Sequence, residues 1–162
     1  MPTTAEMTTT AYIYRGNSGW LKKSIDPMSD EEWKRRPSET TNPVIWIVGH
    51  IIWTRSRGLK IMGVEWSRPW LALFKRGAEL AQSDQYPSPE ELKADWKDID
   101  ARYMDALEGM SAEALAAPMP NPSPSFDGSV GGMIAFLAFH ESSHVGQLLY
   151  LSRWFGHDRI NG

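Results

Sequence analysis

The 162-residue chain contains no cysteine, no hydrophobic run long enough for a membrane span and no surplus of positive charge. Without cysteine there is neither a disulfide framework nor a thiolate ligand. Any metal must therefore be held by nitrogen and oxygen, and a cytoplasmic setting is expected. Lysine and arginine number 17 against 20 aspartate and glutamate, a net charge of −3, and Lys34-Arg35-Arg36 is the main basic cluster. That is too little to attract a phosphate backbone, so no nucleic-acid partner is expected. The most apolar run, PVIWIVGHIIW from Pro43 to Trp53, has 11 residues and is soon followed by Arg55 and Arg57. A span needs about 20 residues, so the run reads as a buried helix and no membrane association is expected. Residues 1–10 are polar, without the apolar segment of a secretory signal.

What is present is helical period. The length suits a single domain, residues 1–162, with a core of its own. A first helix spans roughly Thr9 to Ser24, with Ile13, Trp20, Leu21 and Ile25 as its apolar stripe and Asp26-Pro27 as its stop. A second starts at Asn42-Pro43, a cap followed by proline in the first turn, and runs to about Met62 before Gly63. Ser88-Pro89-Glu90-Glu91 opens a third, to about Glu108, and the fourth runs from near Ser129 to about Phe155, stopped by Gly156. Residues 64–87 are too many for a structureless loop, so a short helix is expected within Trp70 to Leu80. Residues 118–128 are proline-rich loop, and nothing favours strands. These elements predict an all-α protein, a four-helix bundle with long connections. There is also an internal echo. Met28-Ser29-Asp30-Glu31-Glu32-Trp33 before the second helix is mirrored by Met110-Ser111-Ala112-Glu113-Ala114-Leu115 before the fourth.

Three of the four histidines lie in FHESSHVGQLLYLSRWFGH, residues 139–157. His140-Glu141-Ser142-Ser143-His144 satisfies the H-E-x-x-H pattern of zinc proteases. The extended protease positions, however, hold Gln147 and Tyr150, and no glutamate follows Glu141. A third ligand must come from upstream, and His50 is the candidate. Met133, Phe136, Leu137, His140, His144, Leu148, Leu151 and Phe155 recur at steps of three and four, which puts both histidines on the inward face, one turn apart. Ile47, His50, Ile51, Thr54 and Ile61 form the matching stripe of the second helix. His50, His140 and His144 make a candidate three-nitrogen metal site, the count found at catalytic rather than structural centres. Bonded core histidines with no metal are the plainer reading of the same pattern. His157, beyond the helix stop, reads as a surface residue.

The stretches Asn42-Pro43-Val44-Ile45-Trp46-Ile47-Val48-Gly49-His50 and His140-Glu141-Ser142-Ser143-His144-Val145-Gly146-Gln147-Leu148 together resemble the DinB/YfiT-like superfamily of metal-dependent four-helix bundles. Met28 to Glu32 and Tyr150 to Arg153 look like that family too, and only residues 64–87 match poorly. The resemblance implies a divalent ion, zinc or nickel, on His50, His140 and His144, completed by water. Some relatives transfer low-molecular-weight thiols such as bacillithiol or mycothiol, so a small-molecule substrate, a thiol among the candidates, is expected. Family members often form dimers. A homodimer is therefore expected here, with Val48, Ile52 and Trp53 of the second helix as the surface for it. In such a site the ion acts as a Lewis acid on water or on an external thiol. Glu141, beside a ligand, is a candidate general base, and Gln147, one turn after His144, a candidate for orienting it. Two classes stay open: a metal-dependent transferase or hydrolase, and a non-catalytic metal-binding or stress-response bundle.

Overall fold

The computed structural model describes residues 5–82, 84–120 and 122–160. Its helices are α1 (Ala5–Ile25), α2 (Asp30–Lys34), α3 (Val44–Ile61), α4 (Pro89–Glu108), α5 (Ala112–Ala116) and α6 (Val130–Trp154), with a 3-10 turn at Leu71–Phe74. The described residues form no strand beyond one antiparallel bridge between Pro118 and Ser129. The four long helices and the short turn inside residues 70–80 stand where the periodicity puts them. No described helix is long and apolar enough to cross a membrane.

Local chemistry fixes the ends. Ser88 accepts from the Glu91 amide while the Glu91 carboxylate accepts from the Ser88 amide, a reciprocal cap that starts α4. Ser129 accepts from the Gly132 amide to start α6, and Gly156 at φ 97° ends it in a conformation that only glycine adopts without strain. At α3 the expected cap is displaced by one residue. Pro43, not Asn42, is the cap, and no side chain serves the first-turn amides. The two echoed segments take the same local structure. Each becomes a short helix behind a serine cap, Ser29 or Ser111, that anchors one apolar side chain, Trp33 or Leu115, and leads through a loop into a histidine-bearing helix.

Around the bundle the order is α1–α6–α3–α4, each packing on the next, with α4 closing back on α1. Tyr14 bonds Ile134 and Asn17 bonds Ser142, so α1 and α6 run in parallel. Arg55 meets Asp100 and Gly58 meets Tyr103, so α3 and α4 do too. Tyr14 with Tyr103, and Ser18 with Asp100, set α1 against α4. The result is an up-down-down-up bundle whose α3–α4 crossover, residues 62–88, carries the 3-10 turn back against α3. The inward line of α1 is Tyr14, Asn17, Leu21 and Ile25, while Ile13 (42 % exposed) and Trp20 (43 %) face out, against expectation for those two. The swap follows from pairing: Asn17 is bonded to α6, so this polar letter takes an inward position that the apolar pattern gave to its neighbours.

Candidate metal centre

On α6 the deepest line is Ile134, Ala138, Glu141, Val145, Leu148 and Ser152, all buried. His140 and His144 lie beside that line and are half-buried, whereas His50 on α3 is 3 % exposed. The histidines thus point into the seam between α3 and α6 rather than to the centre of the bundle. There the structure brings all three together, with one ring nitrogen from each lying within 4.8 Å of the others. Among the described residues no carboxylate joins the cluster.

Each ring is held in a particular way. Trp46 and Trp53, one turn to either side in sequence, both stack on the His50 ring, at centroid distances of 4.7 and 5.4 Å. His50 Nδ1 lies 2.7 Å from the Phe74 carbonyl oxygen. A carbonyl only accepts, so Nδ1 carries the proton and Nε2 presents its lone pair. Phe74 reaches this position because residue 49 is glycine. A Cβ there would stand 2.3 Å from the Phe74 ring. His144 Nδ1 is 2.9 Å from Gln147 Oε1, which frees its Nε2 in the same way. Sequence reasoning had Gln147 in view but not the Phe74 carbonyl, because a backbone oxygen leaves no mark of its own in the residue pattern. The one signal for it was a glycine inside a run of large apolar residues.

The remaining contact tests whether the cluster fits a cation. His140 Nε2 and His144 Nε2 are 3.3 Å apart, and His140 Nδ1 is buried with no protein partner. If His140 carries its proton on Nε2, Nδ1 is left as an unsatisfied buried acceptor. If the proton is on Nδ1, two lone pairs face each other across 3.3 Å. A shared divalent ion removes that repulsion, and three imidazoles are a donor set such ions accept. Burial, then the neighbouring His144, His50 and Arg76, push His140 down to about 4. Burial also lowers His144 against the opposing effects of Gln147 and Glu141, and lowers His50 against the Phe74 carbonyl. The lowered proton affinity of all three rings favours the neutral form, which binds metal.

Other expectations need correction. Glu141 does not face the histidines as a free base. It is 1 % exposed on the core line, with Oε2 2.5 Å from Arg55 Nε and Oε1 2.8 Å from Arg55 Nη2. Its carboxylate is occupied because a buried charge needs a partner, and Arg55 on α3 supplies one. His157 is partly buried, 3.2 Å from the Glu32 carboxylate of α2. Val48 and Ile52 are fully buried inside the chain, so they offer no surface to a second copy.

Comparisons with known proteins bear on the fold and the family. No curated protein matches the sequence. Among solved structures the fold is similar to YfiT from Bacillus subtilis, described as "a probable metal-dependent hydrolase with an unusual four-helix bundle topology", at a TM-score of 0.70. The match covers 98 % of this chain and 92 % of that one at 11 % identity, so it speaks for the fold alone. The family model of the DinB superfamily matches residues 21–148, a stretch that reaches from α1 through all three histidines, and the chain belongs to that superfamily.

Proposed function

We propose that this chain is a divalent-metal-dependent enzyme acting on a small molecule, with His50, His140 and His144 as the ligands and zinc or nickel as the ion. The observation that carries the reading is the convergence of three neutral imidazoles within 4.8 Å, two of them fixed with Nε2 unprotonated. YfiT's description as a metal-dependent hydrolase supports it. The ion would supply Lewis acidity toward water or an external thiol; the chain has no cysteine to serve as nucleophile. The protein's own part is positional. Trp46, Trp53 and the Phe74 carbonyl fix the His50 ring, and Gln147 fixes His144. Three protein donors, with no carboxylate among the described residues joining them, favour this reading over a closed storage site.

The test is elemental analysis of protein purified without a polyhistidine tag, after incubation with zinc or nickel. One ion per chain, lost in His50→Ala, His140→Ala and His144→Ala, is the expected result. Ester, amide and thiol-transfer substrates then separate hydrolase from transferase. A parent protein that retains no ion overturns the proposal.

A further inference from the structure

Arg55 and Glu141 are each 1 % exposed, and together they form the most deeply buried ionic contact among the described residues. Arg55 touches every long helix. Its Nε and Nη2 grip Glu141 on α6, its Nη1 lies 3.3 Å from Asp100 on α4, and its Nη2 lies 3.3 Å from Ser18 on α1. Ser18 in turn donates to Asp100 at 2.6 Å. The guanidinium sits over the rings of Tyr14, Tyr103 and Trp96, 4.4, 4.5 and 5.1 Å from their centroids. A buried ion pair of this kind gives little net stability, since packed apolar side chains of equal volume usually do as well or better. What it gives is geometry. Two parallel hydrogen bonds between a planar fork and a carboxylate fix both the slide and the rotation of one helix against the other.

Position along the chain says which geometry is fixed. Glu141 directly follows His140 and precedes His144 by three residues, and Arg55 follows His50 by five. The pair therefore joins the ligand-bearing segments of α3 and α6. Apolar packing tolerates small slides of one helix past another. A slip of a single residue, about 1.5 Å along the axis, would break both the fork and the convergence of the three ring nitrogens. We infer that Glu141 and Arg55 are positioning residues that hold α3 and α6 in the register the three-histidine cluster needs. The link to metal affinity rests on the function proposed above; the register itself does not.

The test compares the parent with the apolar double variant Glu141→Leu/Arg55→Met and with Glu141→Gln, which keeps the side chain's shape. Because the chain has no cysteine, spin labels can be placed at Lys60→Cys on α3 and Tyr150→Cys on α6, both exposed, without background. Zinc affinity is measured by competition with a chelator, and coordination by the visible spectrum of the cobalt-loaded protein. The double variant is expected to melt at or above the parent temperature, yet to show a shifted or broadened label distance, zinc binding about 10- to 100-fold weaker and an altered cobalt spectrum. Should it fail to fold, Glu141→Gln carries the test, with native helix content and the same changes expected in smaller measure. Parent-like label distances and zinc affinity in a folded variant overturn the inference. A parent that binds no zinc sinks the function proposed above and leaves the label distances to decide the register.

Discussion

Two polar clusters lie side by side on the same pair of helices, and they follow opposite rules. Arg55 and Glu141 are fully buried and mutually satisfied, with Asp100 and Ser18 taking up much of the remaining hydrogen-bonding capacity. The Glu141 carboxylate raises Arg55 above its ordinary value against the opposing pull of burial. His50, His140 and His144 sit in the neighbouring turns and are left incomplete, with a buried orphan nitrogen and two Nε2 atoms in contact. Burial and mutual repulsion lower their affinity for protons. A protein that can pair buried charge this well in one turn has left a buried ring nitrogen without a partner in the next. The proposed ion would relieve that incompleteness.

The sharpest way to break the comparison is to remove one member of each cluster. Glu141→Ala or Arg55→Ala leaves a bare charge in the core and should cost about 3–5 kcal/mol in metal-free urea unfolding. His140→Ala removes a group that is already unsatisfied and should cost far less, or even stabilise. Equal losses would show that the histidines are ordinary core residues. Metal should then make His140→Ala costly as well. At a free ion concentration about 100 times Kd the parent should gain about 2.7 kcal/mol, while His140→Ala gains none. Gly49→Ala attacks the support rather than a ligand. Phe74 must move, at a cost of about 1–3 kcal/mol, and His50 loses its carbonyl partner, so zinc binding should weaken by about tenfold or more.

The smallest effect is that of pH. Unfolded imidazoles titrate near 6.5, and in the fold all three are depressed, His140 to about 4. Over that interval the unfolded chain holds more protons than the folded one. Metal-free stability should therefore fall as pH drops from about 6.5 toward 4, and His140→Ala should flatten the slope. A parent whose stability rises on acidification in that range would mean that the rings gain a partner on folding.

The histidine cluster was legible in the sequence because two of its members share a helix face one turn apart, and because His50 sits in the most apolar run of the chain. The long helices were legible for similar reasons, Ser88-Pro89-Glu90-Glu91 marking α4 most clearly. What could not be read was which polar residues turn inward. Glu141 and Asn17 look like solvent-facing letters, and their burial depends on Arg55 and Ser142, 86 and 125 positions away. Period alone therefore set the core line of α6 on the histidines instead of beside them. It likewise gave α1 a stripe through Ile13 and Trp20 that the bundle leaves exposed.

The two indoles stacked on His50 carry one more consequence. Trp46 and Trp53 stack on the His50 ring, so their fluorescence would report an ion bound there. An open-shell ion such as Ni²⁺ would darken them on arrival, and closed-shell Zn²⁺ would not. For the proposed ion, the unlabelled protein would be its own optical gauge.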